Sequence, residues 1–343
     1  MSELFYYLAF FLFSIVISFY VNGSVYKMFS RSKMLDPITH RSSHSSKATR
    51  SGGLSLFLTI CLCFALASSA GFLKASYGGP VATGVVLLTL MGLVDDLFNI
   101  RYREKFFVQL FAGFIIIQGG WSINSFHGVF GIFEIPDWAG FLISIFVFVV
   151  VVNALNLIDG LDGLASLVSI KFFLILGGII LISNKEMFLF FPIIIGALIG
   201  FLIHNFNASK KVFLGDTGSL FLGSIIAFFI IFVLDSHNSI ITDAYISRPF
   251  LMVLALFYPL IDTLRAVVLR SYKGLSPFVA DRIHLHHRLV DKGYEHWMAS
   301  LLILCLSLFL VVLNFLLYAK IGLILCVLMT LVFCLIIYKF LFK

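Results

Sequence analysis

The sequence predicts an all-α, polytopic integral membrane protein with about eleven transmembrane helices. Of its 343 residues, 61% are hydrophobic and 12% are charged, whereas a soluble domain would be about a quarter charged. The mean hydropathy is +1.07. Apolar segments of roughly 16 to 25 residues recur along the chain, and each is about long enough to cross a bilayer. The first is expected to be a spanning helix, because it lacks the basic start of a signal peptide.

Eleven segments account for most of the chain, and no internal repeat divides them. We therefore expect a single transmembrane domain, residues 1–343, with its longer polar loops on one face of the membrane. The apolar segments lie near 4–26, 53–73, 80–95, 106–121, 138–156, 163–183, 187–206, 216–234, 248–269, 297–318 and 321–341. The loops on the polar-rich face lie near 27–52, 95–105, 153–163, 207–216 and 270–296.

The distribution of basic residues predicts how these segments are oriented. Lys and Arg accumulate in the cytoplasmic loops of membrane proteins. If the N-terminus is outside, 19 of the 24 Lys and Arg fall in inside loops or in the C-terminal tail, four fall outside, and Lys171 lies within a helix. We therefore expect the N-terminus outside and the C-terminus in the cytoplasm. Nearly all polar residues suited to chemistry then face the cytoplasm.

Two adjacent carboxylates, Asp95 and Asp96, end the third apolar segment within GLVDDLFNIRYREKFFVQ. Charges at a membrane boundary are costly and are often functional. A single Asp here would be explained as a solvated helix end. A pair that is followed by Lys105 and Gln109 on the next helix instead favours a site.

A second polar run, NALNLIDGLDGLA, spans residues 153–165. If the chain stays helical, Asn153, Asn156 and Asp159 share a face because they are three residues apart, and Asp162 follows. Amide and carboxylate oxygens are the ligands that Mg²⁺ prefers, and Gly160 lets the backbone approach a ligand closely. Helix capping is the structural alternative. It explains one such residue, most easily Asn153, but not four.

Three further motifs complete the polar set. In KKVFLGDTGSLFLG, Asp216 stands at a helix start among glycines and hydroxyls, which suits a metal–phosphate site or a simple N-cap. The motif DRIHLHHRL favours phosphate recognition over zinc, because its arginines would repel a cation. The first inside loop is basic, and a solvated loop is the alternative there. The candidate residues of DRIHLHHRL are Arg282, His284, His286 and His287. Those of the first inside loop are Arg41, His44, Lys47 and Arg50.

These motifs together indicate metal-assisted phosphoryl transfer at a membrane face. The five acidic residues Asp95, Asp96, Asp159, Asp162 and Asp216 share that face with the basic set. Acidic clusters hold a divalent metal, whereas Arg and His bind phosphate, so the reaction would proceed by positioning and charge neutralisation. An enzyme at this place is expected to join a nucleotide-linked donor to a lipid phosphate.

The chain resembles the polyprenyl-phosphate N-acetylhexosamine-1-phosphate transferases, in particular their WecA-like group. The wider family includes the muramoyl-pentapeptide and dolichyl-phosphate enzymes. The resemblance covers about residues 36 to 290 and rests on six motifs in family order: RSSHSSKATRSGG, DDLFNIRYREKFFVQ, NALNLIDGLDGLA, FLGDTGS, PLIDTLR and HLHHRL.

The resemblance implies that UDP-N-acetylhexosamine and undecaprenyl phosphate give undecaprenyl-diphospho-sugar and UMP. It implies a Mg²⁺ cofactor, with Mn²⁺ as a substitute, and a bacterial cytoplasmic (inner) membrane enzyme whose active site faces the cytoplasm. N-acetylglucosamine (GlcNAc) is the expected sugar, and O-antigen or common-antigen synthesis the expected pathway. Membrane lipid and a homodimer are expected partners, and nucleic acid is not.

The resemblance also assigns residue roles. The metal ligands match Asn156 and Asp216, and the family's aspartate pair matches Asp95 and Asp96. Lys105 matches a lysine that contacts the diphosphate. Phe213 matches the aromatic residue that stacks on uracil, and Gly160 the backbone that approaches it. The basic segment that handles diphosphate and sugar matches Arg282, His284, His286 and His287.

Direct attack by the lipid phosphate is favoured over a covalent Asp intermediate, because the phosphate is already anionic and barely needs a base. Its difficulty is the approach to another diphosphate, which Lys105 and Arg282 would ease. Two alternatives remain. One is the phospho-N-acetylmuramoyl-pentapeptide transferase of peptidoglycan synthesis, which Arg288 disfavours. The other is an ion-coupled transporter, which would place ionisable residues at mid-membrane depth. Asp262 lies deeper than the acidic cluster, but Arg265 follows one turn on, so a structural ion pair is expected there.

Overall fold

The computed structural model describes residues 2–32, 48–72, 78–183, 185–207, 209–236, 246–276 and 283–342. The structure is helical almost throughout this part of the chain. Its helices are α1 Ser2–Arg31, α2 Gly52–Ser69, α3 Gly79–Phe98, α4 Tyr102–Ile117, α5 Asp137–Leu157, α6 Leu164–Ser183, α7 Lys185–Phe188, α8 Phe190–Asn205, α9 Gly215–Leu234, α10 Arg248–Ala255, α11 Phe257–Tyr272, α12 Leu285–Asp291 and α13 His296–Ile337. Its strands are β1 Ala48–Thr49 and β2 Lys211–Val212.

Seven helices in the described ranges are long and apolar enough to cross a membrane, or eight if α10 and α11 form one bent span. This confirms a polytopic, helical membrane protein. Every predicted apolar segment falls on helix, but α4 and α8 have only 16 residues each. The total of eleven spans stays a prediction.

The last helix, α13, is a hairpin rather than one straight rod. Asn314 donates a hydrogen bond to the Thr330 hydroxyl at 2.9 Å, although 16 residues of straight helix would extend about 24 Å. The chain reverses at Gly322, whose φ of 73° is open to glycine. Two arms result, as the separate segments 297–318 and 321–341 predict. The second arm continues past α13 as a turn of π-helix, Tyr338–Phe342, and returns to the level where α13 begins.

The single helix expected over 248–269 is broken. Helices α10 and α11 meet at an angle of 78° around Leu256. Pro259 explains the break, because it has no N–H to donate to the carbonyl of Ala255 and its ring would clash there. The bend turns Asp262 and Arg265 towards the segment that carries the histidines.

Helix α9 forms the centre of the molecule and is buried nearly throughout. It packs against α2, α3, α5 and α6. The approach of α3 is closest at Gly92, where an added Cβ would lie 2.5 Å from the carbonyl oxygen of Asp216. This contact sets the end of α3, with Asp95 and Asp96, against the start of α9.

A short parallel strand pair departs from the expected all-α fold. Strand β1 pairs with β2, with Ala48 opposite Lys211, and the pairing continues as Gly52 N–H donates to the Phe213 carbonyl at 3.0 Å. Strands of two residues are too short to produce an alternating sequence pattern. Their effect is to hold Arg50 beside the start of α9.

Candidate active site

Lys105 joins two helices at the polar end of the molecule. Its Nζ lies 2.6 Å from Asp95 Oδ2 and 2.8 Å from Asp216 Oδ2. The geometry follows from a tight turn between α3 and α4, in which Asn99 is left-handed and Ile100 N–H donates to Asp95 Oδ1 at 2.6 Å. The lysine that sequence reasoning assigned to the diphosphate therefore lies between two of the predicted carboxylates.

Asp96 anchors the first turn of α9. Its carboxylate accepts hydrogen bonds from the backbone N–H groups of Asp216 at 3.0 Å and Thr217 at 2.9 Å, and from the Thr217 hydroxyl at 2.6 Å. The first N–H groups of a helix have no partner within that helix, so a carboxylate there is stabilising. Arg50 Nη1 is 4.0 Å from Asp96 Oδ1. The two adjacent aspartates thus have different roles. Asp95 contacts Lys105, whereas Asp96 accepts hydrogen bonds from the first turn of α9.

Asn156 reaches the same place from the last turn of α5. Its amide Nδ2 donates to Asp216 Oδ1 and to Ser219 Oγ, each at 2.8 Å. The two residues that the family motifs assign to the metal therefore touch each other. Asp216 is held by Asn156 on one oxygen and by Lys105 on the other.

Asp159 lies beyond the end of α5, which stops at Leu157. The helical face that was expected to carry Asn156 and Asp159 is therefore interrupted, because the glycines and aspartates after Leu157 favour a turn. Asp159 still joins the site, since the Gly215 backbone donates to it. Desolvation, and then the charges of Asp216 and Asp96, raise the pKa of Asp159 well above its ordinary value. We call Asp95, Asp96, Asp159 and Asp216 the carboxylate cluster.

Asp162 has its own cations. Lys211 Nζ lies 2.7 Å and His296 Nδ1 3.4 Å from Asp162 Oδ2. Desolvation raises the pKa of Asp162, but hydrogen bonds from His296 and Lys211 outweigh it and leave that pKa below its ordinary value. Lys211 Nζ also lies 5.7 Å from the centre of the Phe213 ring. Phe213, the predicted uracil-stacking residue, and Asp162 thus both contact Lys211.

Asn153 is not a helix cap, so the structural alternative for this residue is wrong, and a role in substrate binding stays a prediction. It lies inside α5, four residues before its end, and its Nδ2 donates to the Gln109 side-chain carbonyl at 2.6 Å and to the Val149 carbonyl at 2.8 Å. Buried amides need partners, and here each amide satisfies the other across α4 and α5. Gln109, which the sequence placed beside Lys105, therefore serves helix packing.

The histidines are organised by Asp262 of α11. Asp262 Oδ2 lies 2.9 Å from His284 Nδ1, and Asp262 Oδ1 accepts a hydrogen bond from Leu285 N–H at 2.9 Å. Arg265 Nη1 is 3.6 Å from the same carboxylate. The expected ion pair between Asp262 and Arg265 is present, and it also fixes the start of α12. Asp262 is a site residue that sequence reasoning had explained as structural.

His286 connects the histidines to the motif at 153–165. Its Nδ1 lies 3.2 Å from the Tyr258 hydroxyl, and its Nε2 would lie 2.8 Å from a Cβ added to Gly160. The His286 and His287 rings are 4.3 Å apart. Burial, and then the neighbouring histidines, hold the pKa of His286 well below its ordinary value. A side chain at position 160 would crowd the His286 ring, so this contact favours glycine there.

Four predicted residues lie outside the described residues: Arg41, His44, Lys47 and Arg282. Sequence reasoning also missed Lys211, Thr217 and Tyr258 as site residues. Thr217 had a signal, since it follows Asp216 directly. Lys211 and Tyr258 had none, because their partners Asp162 and His286 are 49 and 28 positions away.

The charge balance of the carboxylate cluster suits a divalent cation. Its four carboxylates meet only Lys105 and, at 4.0 Å, Arg50 among the ion pairs of the described residues. No three His, Cys, Asp or Glu side chains converge there at metal-binding distance within the described ranges. A protein cage is not required, because Mg²⁺ is commonly held by one or two carboxylates, with waters and substrate phosphates completing its shell. Asp216 and Asn156 fit that pattern.

Fold and site together define a polytopic membrane protein with a carboxylate cluster and a histidine group at one end of its helices. A family model described as glycosyl transferase family 4 matches residues 80–234, which carry three of the six motifs. This match and the curated relatives show that the chain belongs to glycosyl transferase family 4.

Curated relatives extend the match over most of the chain. A decaprenyl-phosphate N-acetylglucosaminephosphotransferase of Mycobacterium leprae is 31% identical over 313 residues, covering 84% of this chain and 78% of that protein. A probable undecaprenyl-phosphate N-acetylglucosaminyl 1-phosphate transferase of Bacillus subtilis is 28% identical over 277 residues, covering 78% and 73%. The undecaprenyl-phosphate alpha-N-acetylglucosaminyl 1-phosphate transferase of Escherichia coli (strain K12) is 26% identical over 276 residues, covering 79% and 72%.

Proposed function

We propose that this protein transfers GlcNAc-1-phosphate from UDP-GlcNAc to undecaprenyl phosphate, releasing UMP and leaving the sugar on a lipid diphosphate. One observation carries the proposal: Lys105 and Asn156 converge on Asp216 beside Asp95, at one end of the membrane helices. That arrangement offers both charge signs that a diphosphate and its counterion need. The relatives from three bacterial genera are named for decaprenyl or undecaprenyl phosphate and for N-acetylglucosamine, which supports a polyprenyl phosphate acceptor and a GlcNAc donor.

We further propose that the enzyme lies in the bacterial cytoplasmic membrane, with its N-terminus outside and the carboxylate cluster facing the cytoplasm. The excess of Lys and Arg in the loops on that face supports this orientation. So does the returning arm of α13, whose Tyr338 contacts Arg288 of α12 and so ends on the side of the histidines. The expected pathway is the first membrane step of O-antigen or common-antigen synthesis.

Mg²⁺ is the proposed cofactor, with Mn²⁺ as a substitute. Asp216 and Asn156 would hold it, and Asn156 would present its carbonyl oxygen by rotating its amide. When bound, the ion would neutralise negative charge on the donor diphosphate and on the transferring phosphoryl group. The surplus of carboxylates over cations in the cluster supports this assignment.

The chain's own residues would lower the barrier by positioning and by charge. Lys105, held between Asp95 and Asp216, is placed to contact the diphosphate and to offset repulsion between it and the incoming lipid phosphate. A lipid phosphate oxygen forms the new bond to the sugar-bearing phosphorus. The bond from that phosphorus to the bridging oxygen breaks, and UMP leaves with the electron pair. No proton has to be removed from the attacking phosphate.

The other motifs take supporting roles in this scheme. Asp96 keeps the first turn of α9 in place through three hydrogen bonds. His286, whose lowered pKa keeps it neutral near pH 7, would act as a hydrogen-bonding group rather than as a cation. Phe213 is proposed to stack on uracil, with Lys211 and Asp162 beside it.

The test is a donor panel with purified protein, Mg²⁺ and undecaprenyl phosphate. UDP-GlcNAc, UDP-N-acetylgalactosamine and UDP-N-acetylmuramoyl-pentapeptide are compared, and both UMP and lipid-linked product are measured. We expect equal amounts of UMP and lipid-linked GlcNAc from UDP-GlcNAc, dependent on the phosphorylated lipid and abolished by a chelator.

Two outcomes would contradict the proposal. Preference for the pentapeptide donor would make the protein a peptidoglycan enzyme, whereas no UMP from any donor would remove the transferase assignment. The direct-attack step has its own check by rapid quench. A phosphorylated aspartate that forms and decays as fast as turnover would replace it with a covalent route.

A further inference from the structure

Tyr338 lies where the returning arm of α13 meets the histidine segment, which we define as residues 283–291. Its hydroxyl accepts a hydrogen bond from Arg288 Nη1 at 3.2 Å. The guanidinium carbons of Arg288 and Arg265 lie 5.7 and 5.9 Å from the centre of its ring. A cation within about 6 Å of an aromatic ring is attracted to it. One side chain from the C-terminal arm thus contacts two arginines of other elements.

Arg265 contacts both Tyr338 and the residues that position the histidines. Its Nη1 donates to the Ile283 carbonyl at 2.7 Å and lies 3.6 Å from Asp262 Oδ1. Asp262 in turn holds His284 and the first N–H of α12. Two consecutive contacts therefore connect Tyr338 to the residue that sets the His284 ring.

Arg288 gives a second connection that does not pass through Asp262. It lies on α12, two residues after His286, so its hold on Tyr338 ties that short helix to the arm. Seven residues make about two turns, too few for a helix to be stable alone. The position of α12 must come from tertiary contacts. The buried residues Leu285, His286 and Leu289 supply some of them, and Tyr338 supplies another through Arg288.

We propose that Tyr338 is a positioning residue: through Arg265 and Arg288, it makes the C-terminal arm a brace that holds the histidine segment against Gly160. The catalytic consequence rests on the proposed function, whereas the bracing itself does not. Tyr338 is 36% exposed and its contacts are with the arginines rather than the carboxylate cluster, so it acts through others and not on the substrate.

Hydrogen–deuterium exchange tests the brace without requiring any activity. Tyr338→Leu removes both the ring and the hydroxyl, whereas Tyr338→Phe keeps the ring near both guanidiniums. We expect faster exchange at residues 283–291 in Tyr338→Leu, a smaller increase in Tyr338→Phe, and no change at the start of α9. Phe340→Leu, an exposed residue on the same arm, is the matched control and should match the wild type. Unchanged exchange at 283–291 in both Tyr338 variants would overturn the inference.

Activity measurements then test whether Tyr338 affects catalysis by positioning His284. Tyr338→Leu should lower kcat about 10-fold, as expected when a reacting group is slightly misplaced. In a His284→Ala background the same substitution should cost little more, whereas in a Lys105→Met background it should cost its full amount. Equal losses in both backgrounds, or an equal loss in Phe340→Leu, would reduce Tyr338 to a general stabiliser.

The two proposals can fail separately. A wild-type protein that releases no UMP would end the transferase assignment, and exchange would still decide the brace. A wild-type enzyme whose Tyr338 variants keep full kcat and normal exchange would end the brace alone. If Tyr338→Leu does not accumulate in the membrane, the intermediate Tyr338→Phe variant is judged by the same two measurements.

Discussion

The two ends of α9 carry an aspartate each, and they are built differently. Asp216, at the start, lies among further carboxylates and shares Lys105 with Asp95. Asp235, directly after the end, accepts a hydrogen bond from Asn124 Nδ2 at 3.0 Å, and Asn124 Oδ1 accepts one from Ser236 N–H at 2.8 Å. His127 Nε2 completes this end at 3.1 Å from the Leu234 carbonyl. We call Asn124, His127, Asp235 and Ser236 the distal lock.

The difference separates a binding site from a structural cap. In the distal lock, amide, carboxylate and backbone groups pair with one another, and the carbonyls of Leu234 and Val233 at the end of α9 gain partners from His127 and Arg248, as a buried helix end requires. At the other end, carboxylates outnumber cations in the described structure. An arrangement that keeps like charges close is unfavourable for stability and needs a ligand to balance it. We therefore assign function to one end of α9 and stability to the other.

Apart from substitution of Asp216, the largest expected effect comes from removing the cation of the cluster. Lys105→Met keeps the length of the side chain but leaves Asp95 and Asp216 without their shared partner. We expect kcat/KM for UDP-GlcNAc to fall about 100-fold, the size seen when one preorganised electrostatic contact to the transition state is lost. Lys210→Met, an exposed lysine on the same face, is the matched control. A similar fall in both variants would mean that the lysine acts only through surface charge.

The next largest effect concerns the distal lock and should leave catalysis intact. Asn124→Ala removes two hydrogen bonds and leaves Asp235 and the Ser236 N–H without them. The free energy of unfolding, measured by titration with SDS, should fall by about 2 kcal/mol. UMP release at 25 °C should stay within about a factor of two of wild type. Ser122→Ala, two residues earlier, serves as control. A marked loss of kcat in Asn124→Ala would break the division between the two ends.

The smallest expected effect is on stability, and its sign differs between Asp159 and Asp162, which lie in the same turn. Desolvation raises the pKa of Asp159, so Asp159→Asn should stabilise the Mg²⁺-free protein by about 1 kcal/mol. Contacts with Lys211 and His296 leave the pKa of Asp162 lowered, so Asp162→Asn should destabilise it. The melting temperature in chelator checks both. Stabilisation by Asp162→Asn would contradict the charge assignment.

The pH dependence follows from the same shifts. A raised folded-state pKa means that the folded protein binds the Asp159 proton more tightly than the unfolded chain. Its contribution to stability is therefore lost as pH rises from the unfolded value of about 3.9 through the folded one. The lowered pKa of Asp162 gives a contribution that is present at neutral pH and lost as pH falls. Asp159→Asn should reduce the first slope and keep the second.

Much of this architecture could be predicted from the sequence. Apolar length identified the helical segments, including the two arms of α13, because helices in a bilayer must be long and continuous. The bend at Leu256 was missed, although Pro259 was visible, since tertiary contacts decide whether a proline bends or ends a helix. The strand pair of Ala48–Thr49 and Lys211–Val212 was missed because two residues form no pattern.

The site was predicted as a set of residues but not as a set of contacts. Motif order brought Asp95, Lys105, Asn156 and Asp216 together, and the structure joins them. The sequence could not assign Asp96 to the start of α9, because that bond links positions about 120 apart. The sequence also could not show that Asp262 contacts His284 or that Asn153 contacts Gln109. Such pairs depend on how helices pack, which spacing within one helix does not reveal.

The most direct test compares Asp216→Asn with Asp235→Asn, one substitution at each end of the same helix. UMP release from UDP-GlcNAc and undecaprenyl phosphate is measured on purified protein with Mg²⁺. We expect a loss of activity of about 1,000-fold for Asp216→Asn and of less than about threefold for Asp235→Asn. Comparable losses in the two variants, or full activity of Asp216→Asn, would contradict a functional site at the start of α9.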